Sequence, residues 1–344
     1  MTFLICGVVS AFLGTQSIFF CPYAEIADRF SSEDIVRISQ NIAESITPYP
    51  VSLLALMQKE YIGDDLVFEQ ILETNEIYTR YRISYSANGL SLSGIMNIPK
   101  GEGPFPLLVL NHGYIDPTVY TNGRGLKREQ DYFARNGFAV IHPDYRNHAF
   151  SDKDPENTLR FRLGYTEDVI GAVLAVQNST LPELASVDSF SVGMLGHSMG
   201  GGITQNVLVV RPDLIQAAVL YAPVSSNATE NLNQYFLKNP ARSKTAEEIF
   251  MRHGSPEENP NFWDGISPQM YFERVQVPVQ IFIGTRDEST PPEWSEKIHQ
   301  QLQELGKDTE LIIFEGEKHE FIHKWRDFMK KSGAFFSEHL RKSD

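Results

Sequence analysis

The sequence predicts an α/β fold: a doubly wound, mostly parallel sheet with an N-terminal helical lead-in and a helical cap insertion. Three observations predict it. Short apolar runs alternate with stretches long enough for crossover helices, the pattern of strand–helix–strand units. The runs PLLVLNH, GFAVIHPDY, FSVGMLGHS, IQAAVLYAP, VPVQIFIG and TELIIFEG are continuous rather than alternating, as strands covered on both faces require. One interval, Val224 to Tyr271, lacks any strand pattern and interrupts the rhythm.

Taken in chain order, residues 1–22 come first as an apolar segment. Phe3 to Pro22 carry no charge, and about 20 apolar residues suffice to cross a bilayer. This stretch predicts export or membrane anchoring. Against a cleaved signal peptide stand the lack of Lys or Arg before it and of an A-x-A site after it. Residues 23–75 read as a helical lead-in. SSEDIVRISQNIAESI opens on Ser31 and Ser32 ahead of acidic residues, an N-cap signature, and VSLLALMQKEY starts a second short helix. Residues 76–342 are then expected to form the main α/β domain. YTRYRISYS and LSLSGIMNIP alternate and are joined by Ala87-Asn88-Gly89, a hairpin signal. REQDYFARNG, YTEDVIGAVLAVQ, MGGGITQNVLVV and EWSEKIHQQLQEL fill the gaps between strands as crossover helices. Within the cap, residues 224–271, NLNQYFLKN and SKTAEEIFMRHG look helical. Its position predicts cover for the carboxyl edge of the sheet, where such folds bind ligands.

Composition narrows the function. The chain has 344 residues, 42% hydrophobic and 22% charged, enough to bury a sizeable core. A formal net charge of -14 repels phosphate backbones, so nucleic acid is excluded as an expected partner. Both cysteines, Cys6 and Cys21, lie in the first apolar stretch, so the body must fold without disulfides or thiolate metal sites.

The strongest chemical signal is Gly196-His197-Ser198-Met199-Gly200, a G-x-S-x-G sequence between an apolar run and a helical stretch. Ser198 would sit on a sharp strand-to-helix turn, where neighbouring side chains would collide with backbone. A serine hydroxyl needs a base to take its proton and an acid to orient that base. Asp287 follows VPVQIFI and His319 follows TELIIF, in the order Ser, Asp, His expected of this elbow. Glu288 competes with Asp287 for the acid role. The oxyanion hole falls to the backbone of Met199 and of the loop Asn111-His112-Gly113-Tyr114, in particular Gly113 and Tyr114. His112 is expected to support that loop, and His197 and His148 to be structural.

His319-Glu320-Phe321-Ile322-His323 also fits H-E-x-x-H, the signature of zinc peptidases. Catalytic zinc needs a third protein ligand, and only Glu338 and His339 follow closely. The expectation is therefore no metal and no cofactor, with a zinc metallopeptidase as the alternative. A catalytically silent fold acting as a binding module is a second alternative, which the complete Ser-Asp-His set argues against.

From Tyr78 to Leu340 the chain resembles the catalytic domain of the prolyl oligopeptidase family, within the α/β-hydrolase superfamily. LLVLNHGY, PDYR, GHSMGGG, PVQIFIGTRDESTPPEWSEKIHQQLQELGK and FEGEKHEF carry the likeness. The resemblance implies Ser198, Asp287 and His319 as the triad, and a hydroxyl donor at Tyr114. It departs from proline-cleaving relatives, which carry a β-propeller ahead of this domain. Arg146-Asn147-His148 also stands where many relatives have a glycine-rich turn. The reading is thus an acyl-enzyme hydrolase, peptidase-like or carboxylesterase-like, acting on a small-molecule ester or a short peptide or amide.

Overall fold

The computed structural model describes residues 49–340. The apolar segment 1–22 and the predicted helix SSEDIVRISQNIAESI lie outside the described residues. Among the described residues no helix is long and apolar enough to cross a membrane.

A nine-stranded sheet in the order β1-β2-β3-β5-β4-β6-β7-β8-β9 organises the chain. Its strands are β1 Gly63–Thr74, β2 Tyr78–Ala87, β3 Leu90–Pro99, β4 Phe105–Asn111, β5 Ala139–Pro143, β6 Val187–His197, β7 Ala217–Tyr221, β8 Val279–Gly284 and β9 Thr309–Phe314. The first three pair antiparallel, as does β3 with β5. From β5 through β4 to β9 all pairings are parallel.

The inner parallel strands are largely covered on both faces, which explains their unbroken apolar runs, while the edge strand β9 leaves Ile313 46% exposed. Leu107 and Val109 of β4 enter one core cluster, with Val169 and Val173 of helix α3 (Gly164–Asn178), Ile203 and Val207 of α4 (Met199–Val210), and Ile298 and Leu302 of α8 (Pro292–Glu304). Leu108 and Leu110 face the opposite cluster, with Phe133 of α2 (Lys127–Arg135) and Phe328 and Phe336 of α9 (Trp325–Leu340). In α8 the buried residues Trp294, Ile298 and Leu302 recur every four positions, the stripe an amphipathic surface helix needs. The β2–β3 hairpin turns on Asn88 and Gly89, both at positive φ, as a two-residue loop matched to strand twist demands.

One expectation fails. The lead-in 23–75 is not helical throughout: α1 spans only Leu53–Gln58, and Gly63–Thr74 is a strand. Three register shifts along its pairing with β2 break the period-two alternation. Its apolar residues Leu66, Val67, Phe68, Ile71 and Leu72 therefore carry no strand signature, and pairing at the sheet edge decides the conformation.

The interval between β7 and β8 holds no strand. It contains α5 (Ala228–Leu232), α6 (Ser243–His253), α7 (Pro260–Gly265) and single helical turns.

Candidate active site

Strand β6 ends at His197, and α4 starts at Met199. Ser198 alone makes the turn, with φ 56° and ψ -119°. A non-glycine residue held there stores about 1–3 kcal/mol of strain, offset by what surrounds it. The Ser198 N–H donates to the Tyr221 carbonyl at 3.0 Å, and its own carbonyl accepts from Gly201 at 2.9 Å and Val224 at 3.1 Å. A Cβ on Gly196 would lie 2.2 Å from the Gly200 carbonyl oxygen, and one on Gly200 would lie 2.0 Å from that of Asn111. Both glycines of the motif are therefore steric necessities.

Met199 is the first residue of α4, so its N–H is one of the donors a helix start leaves unpaired. Gly113 packs against the elbow, since a Cβ there would meet the Ser198 Cβ at 3.1 Å. The candidate oxyanion loop thus lies against the candidate nucleophile. His112 holds this loop: its Nδ1 donates to the Gly113 carbonyl at 2.7 Å, and its ring stacks on Tyr145. Burial, then the nearby His148, pushes the His112 pKa down to about 3, so the ring is neutral. Tyr114 follows, 43% exposed, at the cavity.

Asp287 and His319 sit in the loops that follow β8 and β9. His319 Nδ1 lies 2.7 Å from Asp287 Oδ2. The other carboxylate oxygen, Oδ1, accepts the backbone N–H groups of Ser289 at 2.8 Å and Thr290 at 2.9 Å. Thr290 Oγ1 completes the set, 2.8 Å from Oδ2 and 3.2 Å from the Ala222 carbonyl. Burial pushes the Asp287 carboxyl pKa up, but the hydrogen bonds from His319 and Thr290 outweigh it and leave a net lowering. The competitor Glu288 is exposed. His197 Nε2 donates to the His319 carbonyl at 3.1 Å. Burial and the neighbouring His319 push the His197 pKa down to about 3, so it acts as a neutral strut between elbow and base loop.

The H-E-x-x-H residues do not share a helical face, because α9 begins only at Trp325. His319 turns Nδ1 to Asp287, while His323, 85% exposed, faces Glu317 Oε1 at 3.3 Å. Among the described residues no group of three His, Cys, Asp or Glu side chains could hold a metal ion.

Ser198 and His319 open onto one cavity of about 340 Å³. The helical interval after β7 supplies Val224, Asn231, Tyr235, Phe236 and Arg242 to its wall, and the segment before α3 supplies Phe161 and Arg162. Sequence reasoning missed Thr290, Arg162 and Arg242. Thr290 had a signal, because Asp287-x-x-Thr290 is the spacing of a side chain closing its own turn.

The sequence pattern of the prolyl oligopeptidase family matches residues 124–343. The chain belongs to that family. An uncharacterized peptidase, YuxL, of Bacillus subtilis is 25% identical over 67% of this chain and 34% of its own length. Esterase EstD of Thermotoga maritima is 25% identical over 79% of the chain and 69% of its own. Among solved structures, acylaminoacyl peptidase of Pyrococcus horikoshii aligns with a TM-score of 0.61 at 21% identity, over 78% of this chain and 43% of that one. Acetyl xylan esterase 1 of Thermoanaerobacterium sp. JW/SL YS485 aligns with a TM-score of 0.62 at 19% identity, over 85% and 94%. The chain thus spans about a third of the length of YuxL and less than half of that of the acylaminoacyl peptidase. These structural likenesses show the α/β-hydrolase fold. The chain is thus of serine-hydrolase family and fold, with relatives named as peptidases and as esterases.

Proposed function

We propose that Ser198 is the nucleophile, His319 its general base and Asp287 the acid that orients the base, and that the protein cleaves a carboxylic ester or a short peptide-like amide through an acyl-enzyme. The observation that carries this is the 2.7 Å contact between Asp287 and His319, in a cavity that Ser198 also lines. With Nδ1–H held by the carboxylate, Nε2 is the nitrogen left to accept the Ser198 proton. The serine oxygen then adds to the substrate carbonyl, and the oxyanion forms against the backbone of Met199 and the Gly113–Tyr114 loop. Each such donor contributes about 3–4 kcal/mol in the transition state. The proton on His319 passes to the leaving group, and water repeats the sequence on the acyl-enzyme. Overlay on nearly the whole of an esterase chain supports a carboxylic ester as the first substrate class to test.

A fluorophosphonate should label Ser198, identified by mass spectrometry of the modified peptide, and a screen of acyl-chain lengths beside aminoacyl and prolyl substrates should find turnover. Labelling elsewhere, or turnover that survives Ser198→Ala within tenfold, refutes the assignment.

A further inference from the structure

Two guanidinium groups share the cavity. Arg162 lies with Cζ 4.6 Å from the Tyr114 ring centroid, and Arg242 approaches the same ring at 4.8 Å. Phe236 is shared as well, at 6.0 and 5.6 Å. A guanidinium carries five N–H donors. Arg162 gives Nη1 to Met199 Sδ at 3.6 Å, and Arg242 gives Nη1 to the Tyr235 carbonyl at 3.4 Å. Among the described residues neither forms an ion pair with a carboxylate. Asp116, which feels the charge of Arg242, turns Oδ1 instead to Thr118 N and Oγ1 at 2.8 and 2.7 Å. Among the described residues no Asp, Glu or Lys lines the cavity.

The contrast with Arg146 is instructive. That arginine is buried and met by Asp168 at 2.6 Å, Asp154 at 3.0 Å and Glu167 at 3.0 Å. Arg146 is thus surrounded by carboxylates, and the other buried arginine, Arg80, gives Nη1 to the amide oxygens of Asn97 at 3.2 Å and Gln130 at 2.8 Å. Arg162 and Arg242 receive aromatic faces instead, on a chain with formal net charge -14. Two like charges drawn together on a half-buried cavity wall repel, and an anion between them would relieve that cost. The fork of a guanidinium matches a carboxylate with two parallel hydrogen bonds.

We infer that Arg162 and Arg242 form a carboxylate-binding subsite, so that the preferred substrate is an ester or amide bearing a carboxylate a few atoms from the scissile carbonyl. The contact of Arg162 with Met199, the residue after Ser198, sets that short distance. The inference rests on the hydrolase reading above.

The test compares kcat/KM for matched pairs. 4-Nitrophenyl butyrate against the mono-4-nitrophenyl ester of succinic acid places the charge on the acyl side. Butyrate esters of 4-hydroxybenzamide and 4-hydroxybenzoate place it on the leaving group. One arm should favour the anionic member by about tenfold or more. That preference should shrink as added salt screens the charges, and fall toward unity in Arg162→Met and Arg242→Met. Arg162→Lys should restore part of it. Labelling of Ser198 by a neutral fluorophosphonate reports on folding and on the hydrolase reading independently. Should Arg162→Met fail to label, Arg242→Met and the salt dependence of the unmodified protein decide. Protein that labels but shows no anionic preference in either arm, or a preference both methionine variants retain, overturns the subsite alone. Unmodified protein that does not label overturns both readings.

Discussion

Asp287→Asn is the most informative single change, because the hydrogen bonds around this side chain dictate which way an amide must sit. Oδ1 receives two backbone N–H donors, from Ser289 and Thr290, and these cannot tolerate an NH₂ group in its place. The amide oxygen is therefore confined to the Oδ1 position and the NH₂ to the Oδ2 position. There it meets the Thr290 hydroxyl, whose proton can go to the Ala222 carbonyl, and His319 Nδ1. Both amide protons find acceptors, so the variant should fold. Accepting one of them obliges His319 Nδ1 to be bare and Nε2 to carry the proton. That tautomer cannot take the proton from Ser198. In a serine protease triad the same exchange costs about 10⁴ in kcat, equivalent to about 5 kcal/mol at 1.36 kcal/mol per decade. Initial rates on the best ester from the screen, with thermal melting as a folding check, measure it. The exposed neighbour provides the control, and Glu288→Gln should stay within about threefold of the parent. A loss below tenfold in a well-folded Asp287→Asn protein refutes the tautomer argument.

Other outcomes follow from the same geometry. Ser198→Ala should abolish turnover and fluorophosphonate labelling with the melting temperature retained, since the serine side chain supports no core. Gly113→Ala brings a Cβ to 3.1 Å from that of Ser198, and should lower kcat by about ten- to a hundredfold, the cost of an ångström-scale misplacement. Treatment with a strong chelator should leave activity unchanged, and His323→Ala should be far milder than His319→Ala; activity lost to chelation and restored by zinc would reverse this. His112 and His197 both titrate near pH 3 in the folded protein and near 6.5 once unfolded. Between those values the unfolded chain binds more protons, so stability should be full above pH 6.5 and decline as pH falls through that window. Melting curves from pH 4 to 7 check the slope, and replacing His197 by Asn should flatten it.

Much of the parallel sheet was legible because burial on both faces leaves a one-dimensional trace: inner strands such as β4 and β8 are short, largely apolar runs between polar loops. The elbow was equally readable, since steric need for Gly196 and Gly200 is a local property of the backbone there. Strand β1 was not, because its conformation is imposed by a neighbour and its bulges scramble the alternation that would have announced it. The arginines were invisible for another reason. Arg162 sits at φ 59° after Phe161 at φ 51°, on an irregular approach to α3, and Arg242 ends a single helical turn. Neither position belongs to a periodic element, and what the two share is a tertiary feature, the approach of both to the rings of Tyr114 and Phe236.

The proposed triad is mounted on the ends of β6, β8 and β9, whereas much of the cavity wall comes from the helical interval between β7 and β8. Chemistry and a large part of selectivity are therefore inherited on separable lengths of chain, with Arg162 on the segment before α3 as the part of the proposed subsite outside the interval. The strand ends are locked by hydrogen-bonded register and tolerate little revision, while the interval can be rewritten residue by residue with the reacting atoms still aligned. A lineage of such proteins can explore new substrates by drift in that interval alone, and an engineer can do the same by exchanging it whole.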